Sequence, residues 1–121
     1  MKLAINKCFG GFGLSDSVHK KLIELGVPHY KTWDEIPKNN TEPYVVDSGK
    51  DDKLFGSYYS NFRDDDKRNH PLLIQAIEAV GIENASSGLA EIRIVEIPDD
   101  VQFEIDDYDG IESVHEVHRS W

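Results

Sequence analysis

A glycine-rich loop near the start of the chain is the first stretch whose residue types could bind a ligand. Gly10, Gly11 and Gly13 follow a short apolar run and lead into Ser15, where a helical pattern begins. Backbone N–H groups in such a turn, next to the positive end of a helix, can bind an anion without a charged side chain. The loop lacks the third glycine of a dinucleotide fingerprint and the Gly-Lys-Ser/Thr of a P-loop. We expect a strand-to-helix turn anchored by its two phenylalanines, with an anion site as the alternative.

A second set of candidate ligand-binding residues lies between positions 58 and 68. Aromatic rings stack on bases and arginines bind phosphates, so Tyr58, Arg63 and Arg68 could hold a nucleotide-like molecule together with the glycine loop. The alternative is a solvated run in which both arginines pair with the acids at 64–66. We expect that pairing, because ion pairs between neighbouring charges are common in such runs.

Residues 96–121 carry most of the excess negative charge. They contain nine acids and one arginine, whereas the rest of the chain contains 14 acids and 12 bases, and the net charge of the whole is −10. Duplex DNA and anionic membranes require a basic footprint, so an acidic segment of this kind suits a basic protein surface instead. The predicted partner-binding residues are five acids of this segment: Asp106, Asp107, Asp109, Glu112 and Glu116.

Signals for catalysis and for metal binding are weak. Cys8 precedes a helix start that would favour its thiolate, but it ends an apolar run, where cysteine is usually a buried hydrophobe. His115 and His118 could share a metal only on a helical tail. His19 is expected on the solvent-facing side of the first helix. We predict no enzyme activity, no cofactor and no metal site.

Two helices are predicted from apolar residues at spacings of three and four. The first follows Ser15 as its N-cap and ends at Gly26. The second begins at Pro71, with the residue at 69 or 70 as its cap, and ends at Gly81.

Strands are predicted around these helices. The run at 3–5 is one, and alternation over 92–97 and 101–105 predicts two more, with a turn at 98–100 between them. The pair Asp109-Gly110 favours a hairpin and a further strand after it, with a helical tail as the alternative. We expect one α+β domain over residues 1–121, in which a mostly antiparallel sheet packs against two helices.

Three segments of the chain carry a resemblance to a known family: INKCFGGFGLS at 5–15, RNHPLL at 68–73 and IPDDVQFEIDDYDGIESVHEVHRSW at 97–121. They resemble a small family of uncharacterised proteins from bacteriophage and prophage genomes. It implies a phage context and assigns no catalytic residue. Small phage proteins of this kind often act by binding, for example by blocking or sponging a component of host defence.

Three functions are therefore expected, all in the cytoplasm of a bacterial host, since the chain has one cysteine, no signal peptide and no apolar span. The leading one is inhibition of a host defence protein with a basic surface through the acidic C-terminal segment. The second is sequestration of a phosphorylated small molecule or nucleotide signal by residues 10–17 with Arg63 or Arg68, at a subunit interface of a homo-oligomer. The third is a phage accessory or structural protein without a ligand.

Overall fold

The computed structural model describes residues 1–8, 11–47, 58–88, 90–99 and 102–116. These residues form an α+β fold of helices α1 (Asp16–Glu24) and α2 (Pro71–Val80) with strands β1 (Lys2–Asn6), β2 (His29–Tyr30), β3 (Val45–Asp47), β4 (Tyr58–Ser60), β5 (Ile92–Glu96), β6 (Phe103–Tyr108) and β7 (Ile111–Glu116). All strand pairings are antiparallel except that of β2 with β3, among the residues described. The α+β class is confirmed. The strands, however, form three small sheets in this part of the chain, β1-β5, β2-β3-β4 and β6-β7, where a single sheet was expected.

Strand β1 lies in the centre of the core. Leu3, Ala4 and Ile5 are fully buried, as expected for an apolar strand with neighbours on both sides. One edge of β1 pairs with β5. Along the other edge, the backbone N–H of Ala4 donates to the carbonyl oxygen of Arg68 at 2.9 Å.

Helix α1 has the predicted ends. The hydroxyl of Ser15 accepts a hydrogen bond from the backbone N–H of Val18 at 3.3 Å and so caps the helix. Gly26, with φ +103°, follows the last turn in a backbone conformation that favours glycine. Val18 and Leu22 face the core with no exposed surface. The expectation for His19 was wrong, because its side chain is buried as well.

Helix α2 also begins and ends as predicted. Pro71 is its first residue, and Nδ1 of His70 accepts from the backbone N–H of Leu72 at 3.2 Å. Gly81, with φ +89°, ends it. The apolar face of α2 packs against α1. Neither helix, among the residues described, is long and apolar enough to cross a membrane.

The side chain of Asn61 joins the β2-β3-β4 sheet to the segment that precedes β3. Parallel pairing places His29 opposite Val45, and antiparallel pairing places Val45 opposite Ser60. Asn61, next to β4, accepts from the backbone N–H of Tyr44 and donates to the carbonyl oxygen of residue 42, both at 2.9 Å.

The hairpin expected between β5 and β6 is wrong. Strand β5 pairs with β1 because Ile92 completes the buried layer there, and β6 pairs with β7 instead. The turn of the β6-β7 hairpin is the Asp-Gly pair. Asp109 and Gly110 have φ values of +52° and +90°, as a two-residue I′ turn requires. The tail is therefore a strand over Ile111–Glu116.

Candidate functional site

Four of the predicted ligand-binding residues line one cavity of about 230 Å³. We call it the glycine-turn cavity. It lies between the turn that precedes α1 and strand β4. Its described lining residues are Gly11, Phe12, Gly13, Leu14, His19, Tyr58, Tyr59, Ser60, Arg63 and Ser87. The structure thus brings Gly11, Gly13, Tyr58 and Arg63 together, although two of them lie 45 or more positions after the glycines.

The two glycines in this wall serve different local needs. Gly11 has φ +86°, and the site where a Cβ would stand is open, so the backbone conformation is what requires glycine there. At Gly13 a Cβ would lie 2.2 Å from Oγ of Ser87. The carbonyl oxygen of Gly13 accepts from the backbone N–H of Ser87 at 3.1 Å, so the two segments are held in close contact. The expected strand-to-helix turn is therefore present and also forms a wall of the cavity.

Arg63 is the only charged side chain in the described lining of this cavity. It is exposed, and no carboxylate of the described residues lies within ion-pair distance of its guanidinium. The expected pairing with the neighbouring acids was wrong, since Asp64 and Asp66 instead lie 3.6 and 3.3 Å from Nζ of Lys67. An arginine that forms no ion pair keeps its positive charge available to a ligand.

His19 contributes an aromatic ring to the same cavity. Its ring stacks on that of Tyr58, with centroids 5.8 Å apart and planes inclined by 22°. Burial lowers the pKa of His19 from 6.5 to about 4, although the backbone hydrogen bond with Ser15 and the charge of Asp16 act in the opposite direction. The ring is therefore neutral at pH 7.

Two other residues of the predicted ligand set have different roles. The hydroxyl of Ser15 caps α1 and donates its only proton to the carbonyl oxygen of Asn84 at 2.6 Å, so its donor is engaged within the fold. Arg68 has 2% of its surface exposed and lies behind the cavity wall. Its guanidinium carbon is 3.7 Å from the centroid of the Phe12 ring. Neither residue is in the described lining of the cavity, and Gly10 lies outside the described residues.

Arg68 is held instead by a buried carboxylate. Its Nη1 and Nη2 donate to Glu112 at 2.6 and 2.7 Å, and Oε1 of Glu112 also accepts from the backbone N–H of Asn6 at 2.7 Å. With 4% of its surface exposed, Glu112 is engaged within the fold and offers little surface to a partner protein. The pair connects β7 to β1 and to the segment before α2.

The remaining acids of the predicted partner set lie on the β6-β7 hairpin. Asp106, Asp107 and Asp109 are exposed, while the side chain of Glu116 lies outside the described residues. A groove of about 450 Å³ beside β6 is lined by acids of two distant segments, with two apolar residues between them: Asp65, Asp66, Phe103, Glu104, Ile105 and Asp106. We call it the acidic groove.

No cluster of three potential metal ligands occurs in the described part of the chain. His115 lies on β7, where its Nε2 is 2.9 Å from Oδ2 of Asp106, and His118 lies outside the described residues. Cys8 is half-buried.

The sequence analysis missed His19 as a residue of the cavity, although a signal was available. His19 directly follows Val18 and precedes Leu22 by three positions, so it borders the apolar stripe of α1. In comparisons with known proteins, no family model, no curated protein and no solved structure matches this chain. The chemistry of the glycine-turn cavity and of the acidic groove is therefore the basis for a function.

Proposed function

We propose that this protein binds a small phosphorylated molecule in the glycine-turn cavity and acts by sequestering it. The observation that carries the proposal is the charge of the cavity. In a chain with a net charge of −10, the single charged residue in the described lining is Arg63, which has no acidic partner there. A guanidinium binds phosphate oxygens through paired hydrogen bonds, which are about twice as strong as neutral ones.

The rest of the wall suits a compact ligand with a polar and an apolar part. Ser60 and Ser87 supply hydroxyl groups, while Phe12 and Tyr58 supply aromatic surface. The volume of about 230 Å³ is below the roughly 300 Å³ at which drug-sized pockets begin, so the ligand is small or enters with one of its parts.

Binding is favoured over catalysis by the arrangement of the polar groups. A serine nucleophile needs a base within hydrogen-bond reach. Among the described residues, neither Ser60 nor Ser87 hydrogen-bonds to His19.

The test is calorimetric titration with inorganic phosphate, a nucleoside monophosphate, a nucleoside diphosphate and a cyclic nucleotide. We expect at least one to bind, and Arg63→Ala to weaken its binding about tenfold to hundredfold, since one charge-assisted contact contributes about 1.5–3 kcal/mol. Arg93→Ala is the matched control, because Arg93 is exposed on β5 and does not line the cavity. Absence of binding in the whole panel, or equal losses in both variants, would refute the proposal.

A second candidate function is capture of a basic protein by the acidic groove, in the phage setting as inhibition of a host defence factor. The observation that favours it is the convergence of Asp65 and Asp66 with Glu104 and Asp106, from segments almost 40 residues apart, around the apolar side chain of Phe103. Opposite charge on a partner would accelerate association and make it sensitive to salt.

This candidate is tested by quantitative affinity capture from infected cells. The triple variant Asp65→Lys, Glu104→Lys, Asp106→Lys reverses three acids of the groove and should lose a partner that the wild type retains at low salt and releases at high salt. A control reversal of Asp34, Glu35 and Glu42, which are exposed outside the groove, should keep it. A partner set that is the same for wild type and triple variant would exclude this function. Co-purification with virion proteins would support the accessory function instead.

A further inference from the structure

The hydrogen bonding of His19 determines which of its ring nitrogens faces a ligand. Nδ1 lies 2.9 Å from the carbonyl oxygen of Ser15, one turn earlier in α1. A carbonyl oxygen only accepts hydrogen bonds, so Nδ1 must carry the proton. In the neutral ring Nε2 is then an unprotonated acceptor.

Nε2 of His19 has no hydrogen-bond partner among the described residues. His19 has 4% of its surface exposed, and every fully shielded side-chain nitrogen or oxygen in the described part of the chain has a partner. Nε2 must therefore retain some accessible surface. Since His19 lines the cavity, that surface faces the cavity. A largely buried acceptor without a partner costs stability, unless a ligand or a water molecule donates a hydrogen bond to it.

Arg63 has the complementary hydrogen-bonding property, because its guanidinium only donates, whereas Nε2 of His19 only accepts. Both residues line a cavity of about 230 Å³, so one small ligand can contact them together. Such a ligand must offer an anionic group to Arg63 and a hydrogen-bond donor to Nε2 of His19.

We infer that the glycine-turn cavity selects anions that carry their own hydrogen-bond donor, with Nε2 of His19 as the acceptor that recognises it. This inference rests on the proposed binding function and specifies its ligand class. The donor is either the P–OH of a protonated phosphate or a hydroxyl group next to the phosphate. An anion of equal size without a donor would leave Nε2 unpaired and bind more weakly.

Two ligand pairs distinguish the two sources of the donor. Inorganic phosphate at pH 7 retains a P–OH group, whereas sulfate has none. Adenosine monophosphate carries ribose hydroxyls that 2′,3′-dideoxyadenosine monophosphate lacks. We expect the donor-bearing member of at least one pair to bind about tenfold or more tightly by calorimetry, and that pair identifies the source.

The variant His19→Phe should abolish this preference, because phenylalanine keeps a ring against Tyr58 and removes the acceptor. His29→Phe is the matched control. His29 is exposed, its ring centroid is 6.3 Å from that of Tyr58, and it does not line the cavity. The control should keep the preference of the wild type.

A measurement on the unaltered protein covers the case in which His19→Phe does not fold. The ¹⁵N resonance of Nε2 should shift on addition of the donor-bearing ligand and stay unchanged with its donor-free analogue. Binding without discrimination in both pairs would overturn the inference and leave the proposed function standing. If none of the four compounds binds, the inference falls, and the phosphate-binding function falls with it when the nucleoside diphosphate and the cyclic nucleotide also fail to bind.

Discussion

The guanidinium of Arg68 and the carboxylate of Glu112 form a buried two-point ion pair, with N–O distances of 2.6 and 2.7 Å. Further bonds complete the group. Nε of Arg68 donates to the carbonyl oxygen of Arg63 at 2.9 Å, and its Nη1 donates to that of Ala4 at 3.2 Å. Nearby, the side chain of Asn6 donates to the carbonyl oxygen of Gly110 at 2.6 Å. These polar contacts join the β6-β7 hairpin to β1 and hold Arg68 against the Phe12 ring, behind the wall of the cavity.

Removing one member of the Arg68–Glu112 pair should be strongly destabilising. Glu112→Ala leaves a buried guanidinium uncompensated, so we expect the free energy of unfolding to fall by about 3–5 kcal/mol. Urea denaturation measures this loss. The control Glu104→Ala removes an exposed acid from the neighbouring strand and should change stability by less than about 0.5 kcal/mol.

The double variant Arg68→Met with Glu112→Leu separates burial of charge from loss of packing. Because no charge is then left unpaired, we expect it to recover much of the loss seen in Glu112→Ala. A double variant less stable than both single variants would contradict this account of the pair.

The turn of the β6-β7 hairpin should be sensitive to substitution at Gly110. A Cβ at φ +90° is strained, and we expect Gly110→Ala to lower stability by about 1–2 kcal/mol. Gly110→Asn is the matched comparison, because asparagine tolerates positive φ better than alanine. Equal losses for the two variants in chemical denaturation would show that the φ angle is not the cause.

The close contact between Gly13 and Ser87 gives a prediction for the cavity wall. Gly13→Ala places a Cβ 2.2 Å from Oγ of Ser87, so we expect it to lower stability by about 1–3 kcal/mol. Adding Ser87→Gly removes the obstructing hydroxyl and should recover part of that loss. Strict additivity of the two changes in a double-mutant cycle would argue against the contact.

Local signals in the sequence were enough to predict the helices and the hairpin turn. The cap at Ser15, the proline at the start of α2 and the Asp109-Gly110 pair each act within a few residues, so their structural effects can be read from the chain itself. All three are confirmed. The chemistry of Tyr58 and Arg63 is complementary to a nucleotide, which groups them with the glycine turn in one interpretation of the sequence, and they line the same cavity.

Pairings between distant segments could not be predicted in this way. The apolar residues of β5 are compatible with pairing to β1 or to β6. The position of β1 in the core decides that β5 pairs with β1. Arg68 and Glu112 are 44 positions apart, and nearer acids were available to the arginine. His19 is buried because Tyr58, from another element, covers its ring. Tertiary contacts of this kind override local patterns.

The buried His19 should make stability depend on pH between about 4 and 6.5. Burial lowers its pKa to about 4 in the folded protein, whereas the unfolded chain has the ordinary value near 6.5. In that interval the unfolded state binds more protons, so the free energy of unfolding rises with pH. Above pH 6.5 the contribution of His19 no longer changes. As pH falls to about 4, this residue should cost roughly 3 kcal/mol of stability, at about 1.4 kcal/mol per pH unit.

Urea denaturation of wild type and His19→Phe at several pH values between 4.5 and 7.5 isolates this contribution. Asp and Glu residues also titrate at the acid end of the range, but they are common to both proteins, so the difference between the two curves reports His19. We expect that difference to grow in favour of the variant as pH falls, because phenylalanine takes up no proton. The variant His29→Phe should show the same pH dependence as the wild type, since the side chain of His29 is exposed rather than buried. Parallel curves for wild type and His19→Phe would mean that His19 protonates equally well in the folded protein, and the neutral Nε2 acceptor would then be lost near pH 6.5.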